Sequence, residues 1–233
     1  MAGAGVVYAR KVGEQTLTLG VSGNLWKDVL VLYDRETDSL WTQLSGDAID
    51  GPLVGKSLQE IPSEVSTWAE WKARHPNTVV LKKSVPVGPG YLGYASDPDM
   101  LGMFGSKNPD QRLGGKEMIY GVRLPGGAAL AVVESYLEEK GGIVASVGGS
   151  SLLITGSAAG GVVAYRLPQG VAAAAMQQDG TWKLADGSSV EPSTGNVVGG
   201  PRQGETLERL PVTRAYWFAW ASFYPRSEVV GKE

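Results

Sequence analysis

The segment that begins at Gly51 returns near the end of the chain at a constant offset of 149 residues, without a gap. Gly51, Pro52, Gly55, Leu58, Pro62, Trp68, Trp71, Pro76 and Val80 reappear as Gly200, Pro201, Gly204, Leu207, Pro211, Trp217, Trp220, Pro225 and Val229. Each Gly or Pro fixes a local backbone state and Trp is rare, so composition alone does not produce this register. The chain reads as an internal duplication.

The register continues upstream. Gly46 maps onto Gly195, Tyr33 onto Trp182, and the turn Asp34–Ser39 onto Lys183–Ser188. Earlier the offset becomes 156, where Gly5, Val6 and Val7 answer Gly161, Val162 and Val163, and the first copy carries about seven extra residues around Gly20–Asn24. Residues 116–157 would need partners before Met1, so the first copy is expected to lack a front part. The expected organisation is a front-truncated repeat over 1–81, a connection over 82–115 and a second repeat over 116–233. The two repeats should form one compact unit about an approximate two-fold axis.

Composition sets the fold class. With 42% hydrophobic and 19% charged residues the chain can bury a core. Its 33 glycines and 13 prolines cut it into short segments that favour strands and tight turns. The expectation is a mainly β (α+β) fold, a duplicated sheet or barrel-like core with one Trp-bearing helix per copy. Residues 141–165 carry no charge, but seven glycines divide their apolar residues into short groups, so they read as three strands and not as a membrane helix.

Individual elements follow from local pattern. Thr16–Leu19 alternates as a strand, and Val29–Tyr33 with Leu40–Gln43 reads as a hairpin. Pro62-Ser63-Glu64 is expected to open a helix that ends before Pro76, with Ser63 as cap. Trp68 and Trp71, like Trp217 and Trp220, share one face of a helix, which predicts burial in the core. Ala172–Ala175 favours helix by propensity, but its register with Thr16–Leu19 predicts strand. The edge beside Val6, Val7 and Tyr8 should be left open, which predicts a homo-oligomer, most simply a dimer.

Several linked motifs carry a family resemblance: Leu19–Gly23, Leu32–Trp41, Gly51–Gly55, Trp68–Trp71 with Arg74-His75-Pro76, and Tyr216–Trp220 with Pro225. Together they resemble the bacterial domain-of-unknown-function family 3179 over nearly the whole chain. The resemblance implies no activity. Members are often exported and usually carry a Cys-containing segment before the stretch matching Gly5–Tyr8. This chain has no cysteine and Met1–Val6 does not read as a signal peptide, so its compartment is left open.

Elimination narrows the chemistry. A net charge of -3 and a pI near 5.4, with no basic run, disfavour nucleic acid. Without cysteine there is no thiol catalysis, and with the single histidine a zinc site is unfavourable. That histidine, His75, corresponds to Tyr224, which argues for packing over general-base work. There is no phosphate-cradling loop, and Gly20-Val21-Ser22-Gly23-Asn24 fails as a nucleophile elbow at its last position. Oxygen-ligated Ca2+ or Mg2+ would use Asp34 and Glu36, or Asp97 and Asp99. The first group also reads as a turn, because Asp38 corresponds to Gly187.

Polar residues present in one copy and lost in its twin nominate a site. Ser22, Asp34 and Arg35 are the catalytic candidates and Trp41 the substrate-binding one; Asp34 and Arg35 read alternatively as a hairpin ion pair. Two functions of different class follow. One is a hydrolase acting on a small ester or lactone-like molecule in a pocket between the repeats, with or without a cation. The other is a non-catalytic ligand- or protein-binding module.

Overall fold

A computed structural model describes residues 2–82, 90–156, 161–172 and 174–232. The chain is mainly β. Its front portion runs β1 (Lys11–Val12), β2 (Gln15–Thr16), β3 (Leu19–Trp26), β4 (Val29–Asp34), β5 (Leu40–Thr42), β6 (Ala48–Asp50) and α1 (Trp68–Arg74). The connection contains α2 (Gly90–Ser96). Then come β7 (Met118–Arg123), β8 (Ala129–Val133), α3 (Glu134–Lys140), β9 (Gly142–Val147), β10 (Ser150–Gly156) and β11 (Val162–Arg166). The remainder is β12 (Ala174–Met176), β13 (Trp182–Leu184), β14 (Ser189–Val190), β15 (Val197–Gly199), β16 (Glu208–Leu210), β17 (Thr213–Tyr216), α4 (Trp217–Phe223) and β18 (Glu228–Val230).

The strands form open sheets, and none of the described ones closes into a barrel, which corrects the barrel-like expectation. Two four-stranded meanders, β3-β4-β5-β6 and β12-β13-β14-β15, are alike in order. A third sheet has the order β16-β11-β10-β9, and a fourth β17-β7-β8-β18, in which β18 joins β8 in parallel. The uncharged stretch forms β9, β10 and β11, as its glycine punctuation predicts. Strand β10 is buried on both faces: Leu152 and Ile154 enter one core, while Leu153 enters another with Trp182 and Val190.

Bonds recur at the offset read in the sequence. Leu58 N donates to Gly46 O at 2.9 Å, and Leu207 N to Gly195 O at 2.9 Å. Leu53 N donates to Ser39 Oγ and Arg202 N to Ser188 Oγ. Gly51 and Gly200 both sit at φ 87, a left-handed backbone, and a Cβ on either would press into Ser39 or Ser188. Tyr8 OH donates to Gln43 O at 2.8 Å and Tyr165 OH to Pro192 O at 3.1 Å. This matches Tyr8 with Tyr165, one residue away from the expected upstream register. The β3–β4 hairpin pairs over more residues than the β12–β13 hairpin does.

Three local expectations change and a fourth holds. Strand structure breaks at Leu17 and Thr18, because Leu17 turns inward to full burial and its N–H goes to Arg10 O. The first Trp helix starts at Trp68 and not at Ser63, since Thr67 and Glu70 complete a reciprocal capping box there. Ala174 and Ala175 pair in β12, so sheet context overrides helix propensity; Ala173 lies outside the described residues. The two tryptophan pairs also differ. Trp217 and Trp220 are fully buried, whereas Trp68 and Trp71 remain 51% and 41% exposed. Helix α4 lies on the sheet that contains β7 and β8, and among the described residues no such strands stand against α1.

Candidate functional site

The β4–β5 hairpin gathers Asp34 and Trp41. Trp41 Nε1 donates to Asp34 Oδ2 at 2.9 Å, and Thr37 donates to Asp34 Oδ1 through its backbone N–H at 2.6 Å and its hydroxyl at 2.9 Å. Both residues are fully buried. Burial pushes the Asp34 carboxyl up, but the bonds from Trp41 and Thr37 outweigh it and hold the group below the usual carboxylate range. A carboxylate so engaged anchors a turn and fixes an indole. At the 149-residue offset stand Lys183 and Val190, so donor and acceptor differ together.

The other nominated residues do not converge on that carboxylate. Ser22 Oγ donates to Val31 O at 2.7 Å and accepts from Asn24 N at 3.1 Å. A serine nucleophile needs a base within hydrogen-bond reach, and these partners are main-chain groups. Arg35 is exposed and stands over the Tyr33 ring, 5.6 Å from its centre. It joins no ion pair with Asp34 among the described residues.

The cation candidates are likewise held by the main chain. Glu36 Oε2 accepts from Thr18 N at 2.7 Å, and Asp97 Oδ1 from Asp99 N at 2.9 Å. Among the described residues no three or more His, Asp or Glu side chains group as metal ligands would. Asp38 adopts φ 58, the left-handed state that its counterpart Gly187 holds at φ 90, in keeping with a turn.

Two polar clusters escaped sequence reading because their members lie far apart in the chain. In one, Arg123 pairs with Glu60 and donates to Ser45 O at 3.0 Å, while Thr213 Oγ1 donates to Glu60 Oε1 at 2.9 Å. Tyr224 lies against this arginine, and burial pushes its hydroxyl up to about 12. In the other, Arg214 grips Glu134 through Nε at 2.5 Å and Nη2 at 2.8 Å, and Tyr120 OH donates to Glu134 Oε1 at 2.9 Å. Burial, then the bond to Glu134, pushes Tyr120 up to about 12 as well. Neither tyrosine ionises near neutrality, so both clusters serve as rivets between strands.

A cavity of about 570 Å3 opens between the segment before β7, helix α3 and the chain end, with Arg112, Glu117, Ser135, Tyr136, Glu139 and Lys232 on its wall. None of Ser22, Asp34, Arg35 or Trp41 lines it. It lies within residues 112–232.

The remaining feature is apolar. Ile61, Val65, Trp68, Trp71, Val79, Val80 and Leu81 are all exposed on and around α1. Trp71 Nε1 donates to Thr78 Oγ1 at 3.0 Å and its ring lies 4.1 Å from His75, centre to centre. Trp220 Nε1 donates to Ser227 Oγ at 2.8 Å and its ring lies 4.4 Å from Tyr224. The helix ends also agree: His75 has φ -127 and ψ 67, and Tyr224 has φ -125 and ψ 64. The same local structure is thus solvent-facing at one end of the chain and buried at the other.

Among known proteins, the family model for a protein of unknown function, DUF3179, matches residues 1–227. No curated protein and no solved structure matches the chain. Among the described residues no helix is long and apolar enough to cross a membrane.

Proposed function

The chain belongs to the DUF3179 family, and we propose that it is a non-catalytic binding module made of a duplicated unit. Its front repeat is residues 1–81, its connection 82–115 and its back repeat 116–233. The observation that carries the reading is the contrast between the exposed pair Trp68 and Trp71 and the buried pair Trp217 and Trp220. An exposed aromatic and aliphatic patch of this kind is characteristic of an interaction surface. Asp34 and Trp41, by contrast, are consumed by each other.

An approximate two-fold relation between the repeats is supported by reciprocal contacts. Thr213 of the back repeat donates to Glu60 of the front one, and Arg209, the counterpart of Glu60, pairs with Glu64, the counterpart of Thr213. Contacts exchanged in this way are the mark of an isologous interface.

A hydrolase acting on a small ester or lactone is the second reading, with a cation such as Ca2+ or Mg2+ as an optional aid. The cavity bearing Ser135, Glu117 and Glu139 favours it. A panel of chromogenic esters and lactones, run with EDTA and with calcium, decides between the two. The module predicts no turnover above buffer. Turnover abolished by Ser135→Ala, Ser22→Ala or Asp34→Ala, in variants that retain the wild-type melting temperature, replaces the module with the enzyme.

A further inference from the structure

Three strands bring one end of their sheet to a common rim. Ile119 of β7 lies opposite Val133 of β8, and Val132 of β8 lies opposite Val230 of β18. Glu117, which precedes β7, Ser135 and Tyr136, which follow β8 in α3, and Gly231, which follows β18, therefore meet there. The left-handed backbone of Gly231, at φ 90, allows the close approach: a Cβ on it would stand 2.5 Å from Tyr136 Cβ. The rim bounds the cavity of about 570 Å3, a size within the range of small-molecule sites.

The other charges on the cavity wall are spent or screened. Arg112 holds Asp110 Oδ2 through Nε at 2.9 Å and Nη2 at 2.7 Å, and donates through Nη1 to Ser227 O at 2.7 Å. Glu139 pairs with Lys140 at 2.7 Å. Lys232 faces solvent, where water and salt screen its charge. Glu117 is different. It is partly buried, its main chain bonds Gly114 and Trp217, and among the described residues its carboxylate joins no hydrogen bond or ion pair. The hydroxyls of Ser135 and Tyr136 are likewise unengaged among the described residues, while the Tyr136 ring already carries Lys140 Nζ at 5.5 Å from its centre.

We propose that this cavity binds a small primary amine in its ammonium form. A primary ammonium has three N–H donors and no acceptor. Glu117, Ser135 and Tyr136 offer it three accepting side chains, one of them charged, and Leu113 and Val133 take the hydrocarbon body. A carboxylate ligand would meet the uncompensated charge of Glu117. A quaternary ammonium would give these three groups no hydrogen to accept, and with its ring occupied by Lys140 the single tyrosine makes no cage for one. The site lies apart from the α1 face and involves no bond-breaking step, so it stands independently of both readings above.

The probe is n-hexylammonium, titrated into the full chain while amide resonances are followed by NMR, with hexanoate and 1-hexanol as controls. Saturable shifts should gather at residues 113–117, Ser135, Tyr136 and Gly231. Hexanoate and hexanol should bind at least about 10-fold more weakly, and Glu117→Gln should weaken hexylammonium by about 10-fold or more, the worth of a hydrogen bond to a charged group. Gln keeps the size of Glu, and a melting temperature equal to wild type separates lost binding from lost folding. Ser135→Ala, at an exposed position, should weaken the same probe a few-fold. The absence of saturable shifts, shifts centred on Trp68 and Trp71, equal binding of hexanoate, or unchanged affinity in both variants each overturns the proposal.

Discussion

The indole of Trp220 occupies the space that a side chain on Gly121 would need: a Cβ there would lie 2.3 Å from Cη2. Glycine at this one strand position lets the ring close onto the sheet, where its N–H reaches Ser227 Oγ at 2.8 Å. Gly121→Ala should therefore destabilise the protein by about 1–3 kcal/mol, the range of overpacked cores. Urea unfolding checks this; an unchanged midpoint would mean that the seat tolerates a methyl group.

The two tryptophan pairs should behave as differently as their burial. Trp217→Ala or Trp220→Ala should cost about 3–5 kcal/mol, as large-to-small changes in a packed core do. Trp68→Ala or Trp71→Ala should cost about 1 kcal/mol or less, since each ring is close to half exposed. Equal losses in all four variants would contradict the contrast on which the module reading stands.

Asp34 gives the hairpin a pH dependence. Because its folded-state pKa is depressed, its contribution is complete above the unfolded value of about 3.9 and is lost as pH falls through the folded one. Asp34→Asn should flatten the acid limb of the stability profile and cost about 1–3 kcal/mol near neutrality by weakening the bonds to Trp41 and Thr37. Stability curves from pH 2 to pH 7, recorded by denaturant titration at each point, test the sign. A variant with the wild-type acid limb would remove Asp34 from it.

Tyr120 and Tyr224 act at the other end of the scale. Burial raises both to about 12, so the stability linked to them is full below the unfolded value of about 10 and declines as pH rises towards the folded one. Phenolate absorbance from these two should therefore appear only well above pH 10. A single step near 10 for all nine tyrosines would contradict the burial of these two.

Much of this architecture was legible in local pattern. Glycine spacing in 141–165 marked three strands because short apolar groups cannot span a membrane or sustain a helix. The start of α1 is also legible: Thr67 and Glu70 have capping-box spacing, which a cap at Ser63 lacks. Trp68 and Trp71 were misjudged because an apolar helix face says nothing of whether the opposing sheet is there. Comparing residues across the 149-residue offset singles out Asp34 and Trp41, but such a difference marks any coupled change, and here the coupling is a hydrogen bond. The pairs Glu60 with Arg123 and Glu134 with Arg214 join segments distant in sequence, so no local pattern announces them.

The central claim, that the chain around α1 is exposed where the matching chain around α4 is packed into a sheet, is tested most directly by hydrogen exchange. The amides of Val79–Leu81 and Glu228–Val230 occupy matching positions at the 149-residue offset. Val79–Leu81 should exchange at close to unprotected rates, while Val229 and Val230, paired to β8, should exchange at least about 100-fold more slowly. Equal, strong protection at both sites would contradict the claim.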